Sequence, residues 1–305
     1  MSSDWQVVSK TPCEVGESPF WHPQEQLLYW VDIAAKKIHR CNVFMGTVES
    51  WAMTAPHDLE PGCIAPAAGG GLVIALRDGI YRSKSWGGAL QRLAAASHHS
   101  TTTRFNDGKC DPLGRFWAST IYEPRDARHA ALFCLQGGAL ARIAGDATVG
   151  NGLAWSADSR TLYWSDTTAH VIRAWDWDSV GNTLSKARVF MQFPFKPAGW
   201  QPGKPGYGGR PDGAAVDSEG NYWVAMFEGA RVLKLSPAGE LLAEIATPVQ
   251  CPTMVCFGGD DLQTLYLTSA RHGRPAAELQ AMPLSGAVLS LRVDVPGLPV
   301  NFFAG

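Results

Sequence analysis

A short strand-like segment recurs along the whole chain and constrains its fold more than any other feature. The copies are aromatic or β-branched, and they centre on Trp30, Ile74, Trp117, Trp164, Trp223 and Leu267. The intervals between them are 44, 43, 47, 59 and 44 residues. A period in the mid-forties with several strands per unit is typical of a β-propeller blade. Six copies therefore predict six blades of four antiparallel strands.

The two ends of the chain and the one long interval fit the same architecture. Residues 193–211, FPFKPAGWQPGKPGYGGRP, occupy the long interval, and their Pro and Gly content indicates an inserted loop. The N-terminal segment DWQVVSK and the C-terminal segment AVLSLRVDVP are predicted to share the last blade, so that no long sheet edge is exposed. Helical periodicity of the TIM-barrel kind is missing from the sequence. We expect an all-β, six-bladed β-propeller as a single domain over residues 1–305.

Composition and charge exclude several classes of partner. Hydrophobic residues make up 46% of the chain and charged residues 18%, as in a folded protein, and the net charge of −2 has both signs scattered. Without a basic stripe, neither nucleic acid nor an anionic membrane is an expected partner. The seven cysteines contain no C-x-x-C pair and are expected to be reduced core thiols. Without a secretion signal or a long apolar run, we expect a cytoplasmic protein, as a monomer or a small homo-oligomer.

Four oxygen-bearing side chains share one phase of the repeat. They lie five residues before the turns HPQE, DPLG, SADS and DSEG, and they are Glu17, Asn106, Asn151 and Asp212. Since the first strand of each blade lines the axis of a propeller, these positions should converge on one mouth of the central channel. An all-oxygen set favours Ca²⁺, Mg²⁺ or Mn²⁺ over a structural zinc site. Asn-Gly and Asp-Gly are also ordinary turn dipeptides, so each position taken alone also fits a loop.

The same positions carry a resemblance to a known family. The segments GESPFW, RFNDGKCDPLGRFWAST, NGLAWSADSRTLYWSD, RPDGAAVDSEGNYWVA and VPGLPV resemble the gluconolactonase, luciferin-regenerating enzyme and senescence-marker-protein (regucalcin) family of six-bladed propellers. The resemblance implies one divalent metal ion at the channel mouth, held by Glu17, Asn151 and Asp212. The identity of that ion stays open among Ca, Zn, Mn, Mg and Fe.

The resemblance also implies residues that contact the substrate. Arg104 and Asn106 match the family's substrate-contacting pair. Glu123 matches an acidic residue that touches a sugar hydroxyl, but Ser119 and Ile121 replace two of the three residues that precede it in relatives. Glu123 is therefore only a candidate contact.

The implied activity is hydrolysis of a sugar lactone to its aldonic acid, a reaction of carbohydrate metabolism. A divalent ion would polarise the lactone carbonyl and activate water. Asp212 is the expected general base, and water activated by the ion alone is the alternative. Two other functions stay open: hydrolysis of a phosphotriester or another ester at the same site, and a non-catalytic, regucalcin-like calcium-binding protein. The G-x-S-x-G motif of serine esterases is missing from the sequence.

Two further pairs of residues invite a role. Asp32 and Asp166 occupy matching ends of aromatic strands, and a repeated position of this kind favours structural hydrogen bonding over catalysis. Trp200 and Tyr207 lie in the inserted loop shortly before Asp212. They could cover a bound sugar, or the insert could be disordered, and the sequence does not choose.

Overall fold

The fold was analysed in a computed structural model that describes residues 4–305. These residues form six sheets of four antiparallel strands, each sheet a blade. The first strands of neighbouring blades contact each other in succession, and the last contacts the first, so the blades close a ring. The predicted six-bladed β-propeller with four-stranded antiparallel blades is confirmed.

The first strand, β1 (Gln6–Ser9), belongs to the blade that is completed last. Blade 1 consists of β2 (Gly16–His22), β3 (Leu27–Asp32), β4 (Lys37–Asn42) and β5 (Thr47–Ala52). Blade 2 consists of β6 (Pro61–Pro66), β7 (Leu72–Leu76), β8 (Gly79–Ser83) and β9 (Leu90–Ala95). Blade 3 consists of β10 (Thr103–Cys110), β11 (Phe116–Tyr122), β12 (Ala130–Gln136) and β13 (Ala139–Ala147). Each blade is therefore an outward-running meander.

The remaining blades follow the same plan, and the chain ends close the ring. Blade 4 consists of β14 (Gly150–Trp155), β15 (Thr161–Asp166), β16 (Val171–Asp178) and β17 (Thr183–Gln192). Blade 5 consists of β18 (Arg210–Val216), β19 (Tyr222–Phe227), β20 (Arg231–Leu235) and β21 (Leu241–Ala246). Blade 6 consists of β22 (Pro252–Gly258), β23 (Thr264–Ser269), β24 (Val288–Arg292) and β1. Val7 pairs with Leu289, which confirms the predicted joining of the two ends.

Two segments depart from the strand pattern. A short helix, α1 (Ala276–Ala281), lies between β23 and β24 and had no counterpart in the sequence prediction. The inserted loop between β17 and β18 contains no helix or strand, as its Pro and Gly content predicts. Within residues 4–305, no helix is long and apolar enough to cross a membrane.

Aromatic side chains of the second strands fill the space between blades. Trp30, Trp117 and Trp164 are fully buried. Trp117 meets Trp155 of the next blade edge to face, with ring centroids 5.6 Å apart. Large buried aromatics of this kind typically stabilise a fold by about 3–5 kcal/mol each relative to alanine. All seven cysteines are buried and free, as expected from their spacing.

The C-terminal segment ties several blades together at one face of the ring. Leu298 N donates to Val216 O at 3.1 Å, Phe303 N to Pro66 O at 2.8 Å and Ala304 N to Gly114 O at 2.9 Å. These contacts join blades 5, 2 and 3 at the ends of their first strands. The opposite face, where the first strands begin, is left for the candidate site.

Candidate active site

The four residues of the predicted ring lie beside irregularities in the inner strands. The strand register shifts between Glu17 and Phe20 in blade 1 and between Asn151 and Ala154 in blade 4. Equivalent shifts flank Asn106 and Asp212, and all four side chains are buried. A β-bulge re-aims the side chains around it. The four residues therefore lie in bulged strands, and the alternative interpretation, in which each of them lies in a loop, is wrong.

Gly152 shows why the bulge of blade 4 needs glycine. Its φ of +61° lies in the left-handed region, which side chains other than glycine rarely adopt. A Cβ atom at this position would overlap the hydroxyl groups of Tyr222 and Ser165. Gly152 thus lets Asn151 approach blade 5 closely at the channel mouth.

A chain of hydrogen bonds fixes the orientation of the Asn151 amide. Thr167 Oγ1 donates to Pro211 O at 2.8 Å and so accepts from Asn151 Nδ2, also at 2.8 Å. On the other side, Asn106 Nδ2 donates to Asn151 Oδ1 at 2.8 Å. Arg104 Nη1 in turn donates to Asn106 Oδ1 at 2.9 Å. Asn151 therefore presents its oxygen to blade 3, while the amide oxygen of Asn106 is already engaged.

Three buried carboxyl groups interact at this mouth. The pKa of Glu17 is raised well above its usual range, first by burial and then by the charges of Asp212 and Asp107. Burial and then the charge of Asp107 likewise raise the pKa of Asp212. Burial also raises the pKa of Asp107, which the charge of the buried Lys109 opposes. The three groups form one electrostatically coupled cluster.

Asp107 was missed by the sequence prediction. It follows Asn106 directly, so counting one residue per strand passed over it, although an acid within RFNDG was a visible signal. Its Oδ2 accepts from Leu153 N at 2.8 Å, whereas its Oδ1 is buried without a hydrogen-bond partner among the described residues. A buried, unpartnered carboxylate oxygen is costly unless a cation or donor approaches it.

The donor set fits a divalent cation. Three buried carboxyl groups meet here, and one of their oxygens, Asp107 Oδ1, has no hydrogen-bond partner among the described residues. Glu17, Asn151 and Asp212 come from three different blades and offer only oxygen atoms. Hard divalent ions prefer such ligands. These residues could therefore hold the ion that the family resemblance implies.

Arg104 and Glu123 belong to an ion-pair network beside the cluster. Arg104 Nε lies 3.6 Å from Glu123 Oε1. Arg77 binds Glu123 through Nη1 at 2.8 Å and Nη2 at 3.1 Å, and it binds both oxygens of Glu60 as well. The network holds Arg104 in place at the mouth. Glu123 therefore meets two guanidinium groups, and its part in substrate binding remains a prediction.

Near Asp212, the buried carboxylate of Glu228 contacts three cationic side chains. Glu228 accepts from Lys196 Nζ at 2.9 Å and from Arg274 Nη1 at 2.9 Å, and Arg210 Nη2 lies 3.4 Å away. Burial favours the neutral form of Glu228, but these cations outweigh it and hold the pKa of Glu228 below its usual value. Arg274 also forms a paired contact with Glu278 of α1 at 2.8 and 2.6 Å.

The inserted loop packs beside these cations. The rings of Trp200 and Tyr207 meet edge to face at 5.0 Å, and Lys196 Nζ lies 5.2 Å from the Trp200 ring. The Tyr207 hydroxyl is 2.8 Å from His170 Nε2. These contacts favour an ordered insert, and the aromatic pair stays a candidate cover for a bound sugar.

Asp32 and Asp166 have the structural role that their repetition indicates. Asp32 accepts from the backbone N–H groups of Glu14 at 2.8 Å and Val15 at 3.0 Å. Asp166 accepts in the same way from Thr148 at 3.1 Å and Val149 at 3.2 Å. Each carboxylate secures the chain that enters its blade, so the structural interpretation is confirmed.

Asp32 is also part of a second group of metal-binding residue types. One ligand atom from each of Cys13, Asp32 and His39 lies within 4.8 Å of the others. Burial raises the pKa of the Cys13 thiol to about 12, and Cys13 Sγ accepts from Trp30 Nε1 at 3.3 Å. Because the oxygens of Asp32 already accept backbone hydrogen bonds, this group suits blade packing better than ion binding.

A cavity of about 280 Å³ opens on the side of the ring that the C-terminal segment crosses. Phe20, Trp155 and Met254 are among its mainly apolar lining, and no described carboxylate lines it. The coupled acids therefore do not face this cavity, which separates it from the ring of oxygen donors.

Comparisons with known proteins agree with the fold and the motifs. Residues 15–271 match the profile of the SMP-30/Gluconolactonase/LRE-like region. A 6-deoxy-6-sulfogluconolactonase of Pseudomonas putida is 44% identical over 308 residues, with 100% of both chains covered. A regucalcin of Danio rerio is 34% identical, with 98% of both chains covered. The crystal structure of a calcium-binding protein, regucalcin, from Agrobacterium tumefaciens has a TM-score of 0.89 at 24% identity, covering 99% of this chain and 98% of that one.

Proposed function

The chain belongs to the SMP-30/Gluconolactonase/LRE-like family, and from this premise we propose that it is a metal-dependent sugar lactonase. The reaction is hydrolysis of an aldonolactone to the aldonic acid. The observation that carries the proposal is the cluster of buried carboxyl groups of Glu17, Asp107 and Asp212 at one channel mouth, where Asp107 Oδ1 has no hydrogen-bond partner among the described residues. The names of the most similar relatives, which include a sugar lactonase at 44% identity, support the same reaction.

Glu17, Asn151 and Asp212 are the proposed ligands of a single divalent ion. When bound, such an ion supplies Lewis-acid chemistry, which polarises a carbonyl group and lowers the pKa of water. Thr167 and Asn106 hold the Asn151 amide so that its oxygen faces the site. The chain thus prepares the ligand set through hydrogen bonds that lie outside it.

Asp212 is the proposed general base. Its carboxylate takes a proton from water as the water oxygen bonds to the carbonyl carbon of the lactone. The bond between that carbon and the ring oxygen then breaks, and the ring oxygen receives the proton from Asp212. The raised pKa of Asp212 brings its proton affinity closer to that of an effective base at neutral pH.

Arg104, Asn106 and Glu123 are the proposed contacts for the substrate's ring and hydroxyl oxygens. Arg104 keeps Nη2 free of hydrogen bonds to the described residues, while its Nη1 and Nε face Asn106 and Glu123. Its planar fork of donors can grip two acceptors at once. A mouth lined by an arginine, an amide and a carboxylate suits a polyhydroxylated lactone better than an apolar phosphotriester.

A substrate screen with metal removal and restoration tests the proposal. The purified protein is treated with a chelator and assayed with gluconolactone, xylonolactone, galactonolactone, arabinonolactone and 6-deoxy-6-sulfogluconolactone, and with a phosphotriester, after adding Ca²⁺, Zn²⁺, Mn²⁺, Mg²⁺ or Fe²⁺. We expect hydrolysis of at least one lactone that chelation abolishes and metal restores. If only the phosphotriester is cleaved, the ester-hydrolase alternative replaces the lactonase.

A calcium-binding protein without catalysis is the second candidate function. It is favoured by the description of the Agrobacterium tumefaciens regucalcin as calcium-binding. Inertness toward every substrate together with saturable Ca²⁺ binding would select it over the enzyme.

A further inference from the structure

Two arginine side chains near Asp212 carry hydrogen-bond donors that the protein does not use. Arg125 lies in the loop after β11, and Arg210 opens β18. Within residues 4–305, neither guanidinium donates a hydrogen bond, and Arg125, which is exposed, forms no ion pair. Arg210 Nε is buried without a partner, and the nearest carboxylate oxygen of Glu228 is 3.4 Å from Arg210 Nη2. Guanidinium groups placed in this way can donate hydrogen bonds to an external anion.

Two neighbouring guanidinium groups, those of Arg77 and Arg274, are held by carboxylates on two or more of their nitrogens. Arg77 binds the carboxylates of Glu60 and Glu123 in a paired geometry, and Arg274 does the same with Glu278. The unused donors are therefore not a general property of arginines in this region. Arg125 and Arg210 are two arginines with unused donors whose charges act on Asp212.

Cationic side chains are also concentrated near Asp212. We call this region the cationic wall, and it consists of Lys196, Arg210, Arg274 and Arg125 with the carboxylates Glu228 and Glu278. These four cations outnumber the two carboxylates, and Asp212 of the acidic cluster is a further acid on which Arg210 and Arg125 act. The Phe227 ring, 5.2 Å from the Arg210 guanidinium, packs against one of them.

The cationic wall adjoins the acidic cluster. Arg210 precedes Asp212 by two residues in the same strand, and the charges of both Arg210 and Arg125 act on Asp212. Arg125 and Arg210 also repel each other: the pKa of Arg125 is lowered by burial first and then by Arg210. Two like charges held together beside a site favour a multivalent anion that can bridge them.

From these observations we infer that Arg125 and Arg210 form a subsite for an anionic substituent of the sugar lactone, a sulfonate or a phosphate ester. The inference rests on the proposed function. Both substituents present three oxygen atoms around a tetrahedral centre, which match the planar forks of two guanidinium groups. The acidic cluster would bind the carbonyl end of the lactone, where the reaction occurs. The cationic wall would bind the end of the lactone that carries the anionic substituent.

The experiment compares substrates that differ only in the substituent. Values of kcat/KM are measured for 6-deoxy-6-sulfogluconolactone, 6-phosphogluconolactone and neutral gluconolactone with the metal-restored wild type, Arg125→Ala and Arg128→Ala. Arg125 is chosen because its loss breaks no ion pair. Arg128 is the matched control, because it lies in the same loop but pairs with the exposed Asp146 at 3.3 Å.

We expect the wild type to prefer an anionic lactone over the neutral one. Arg125→Ala should lower that preference roughly ten- to hundredfold, the usual range for a charge-assisted hydrogen bond, and Arg128→Ala should retain it. Comparison of kcat/KM for the sulfonate and the phosphate substrates shows which of the two anions the subsite prefers. Equal use of neutral and anionic lactones by the wild type, or a preference that survives Arg125→Ala, would overturn the subsite and leave the lactonase proposal standing.

A binding measurement separates the subsite from catalysis. The affinities of 6-deoxy-6-sulfogluconate and gluconate, the open-chain products, are measured by titration calorimetry on the same proteins. If no lactone is hydrolysed, the proposed function fails, and tighter binding of the sulfonate that depends on Arg125 still supports the subsite. Equal or absent binding of the two products in that case overturns the subsite as well.

Discussion

The side-chain amide of Asn106 donates to the side-chain amide oxygen of Asn151 over 2.8 Å, joining blades 3 and 4 at the channel mouth. The two residues occupy the same phase of the repeat, yet their roles differ. The Asn106 side-chain oxygen accepts a hydrogen bond from Arg104, and its nitrogen donates one to Asn151. Asn106 therefore positions both neighbours, whereas the Asn151 oxygen, which accepts only this one hydrogen bond, has a second lone pair for a ligand.

The orientation of Asn151 predicts a role for Thr167. Thr167→Val removes the acceptor of Asn151 Nδ2 without changing the size of the side chain appreciably. We expect metal affinity to fall roughly tenfold or more, as for other residues that orient a metal ligand. Titration calorimetry with Ca²⁺ or Zn²⁺ measures the change.

Thr168→Val is the matched control for this effect. Its side chain forms no hydrogen bond to the described residues, and only its backbone N–H donates to Asp166. An equal loss of metal affinity in both valine variants would mean that Thr167 acts through general stability.

Asp212→Asn tests the general base. The amide can still offer one oxygen to an ion but cannot take a proton, so kcat should fall by at least about 10²- to 10⁴-fold. Metal affinity should also fall, because one charge is lost. Circular dichroism should show an unchanged fold, since Asp212 lies at the mouth and not among the aromatic residues between blades. Full activity in this variant would remove Asp212 from the mechanism.

The metal-free protein should lose stability as the pH rises above about 4. Glu17 and Asp212 have folded-state pKa values raised above their ordinary values of 4.5 and 3.8, so the folded state binds more protons than the unfolded state in that range. By linkage, stability is fully present below the ordinary values and declines toward the raised ones. Each unit of difference corresponds to about 1.4 kcal/mol.

Glu17→Gln isolates this contribution. In chelated protein at neutral pH, the variant should melt at a higher temperature than the wild type, because one of the repelling carboxyl groups is gone. Adding a divalent ion should reverse the order, since only the wild type retains all its ligands. Thermal melts from pH 4 to 8 with and without the ion provide the measurement. A variant that is less stable than the wild type under chelation would show that the carboxyl groups do not repel each other.

Gly152→Ala should damage both the fold and the site. The substitution carries a left-handed strain of about 1–2 kcal/mol. Overlap with Tyr222 and Ser165 should add about 1–3 kcal/mol. Gly137→Ala is the control, because Gly137 has a similar φ of +58° but no atom within 4 Å of the added Cβ. Urea unfolding of the two variants separates strain from overlap, and equal losses would show that the space around Gly152 can adjust.

The repeat made much of the site predictable. The hairpin turns are visible as polar motifs, and counting back from them identifies Glu17, Asn106, Asn151 and Asp212 as equivalent positions. Their burial beside strand irregularities agrees with that phase. The count selects one residue per strand, however, and a bulge can direct two consecutive side chains to the same region. Asp107 was missed for this reason.

The cationic wall was not predictable from the repeat. Arg210 begins a strand that follows the longest connection between blades, and Arg125 lies in a loop between second and third strands that is longer than the matching loops of blades 1, 2, 4 and 5. Their proximity depends on how these loops pack, which no periodic pattern encodes. The short helix α1 was missed because six residues give too little helical periodicity.

The position of the bound ion tests the central claim most directly. A crystal of the protein grown with Ca²⁺ or Mn²⁺, with anomalous scattering recorded for the ion, locates it without reference to activity. We expect one ion at the channel mouth, within about 2.0–2.6 Å of oxygens of Glu17, Asn151 and Asp212. An ion bound instead at Cys13, Asp32 and His39, with the mouth unoccupied at saturating metal, would contradict the account.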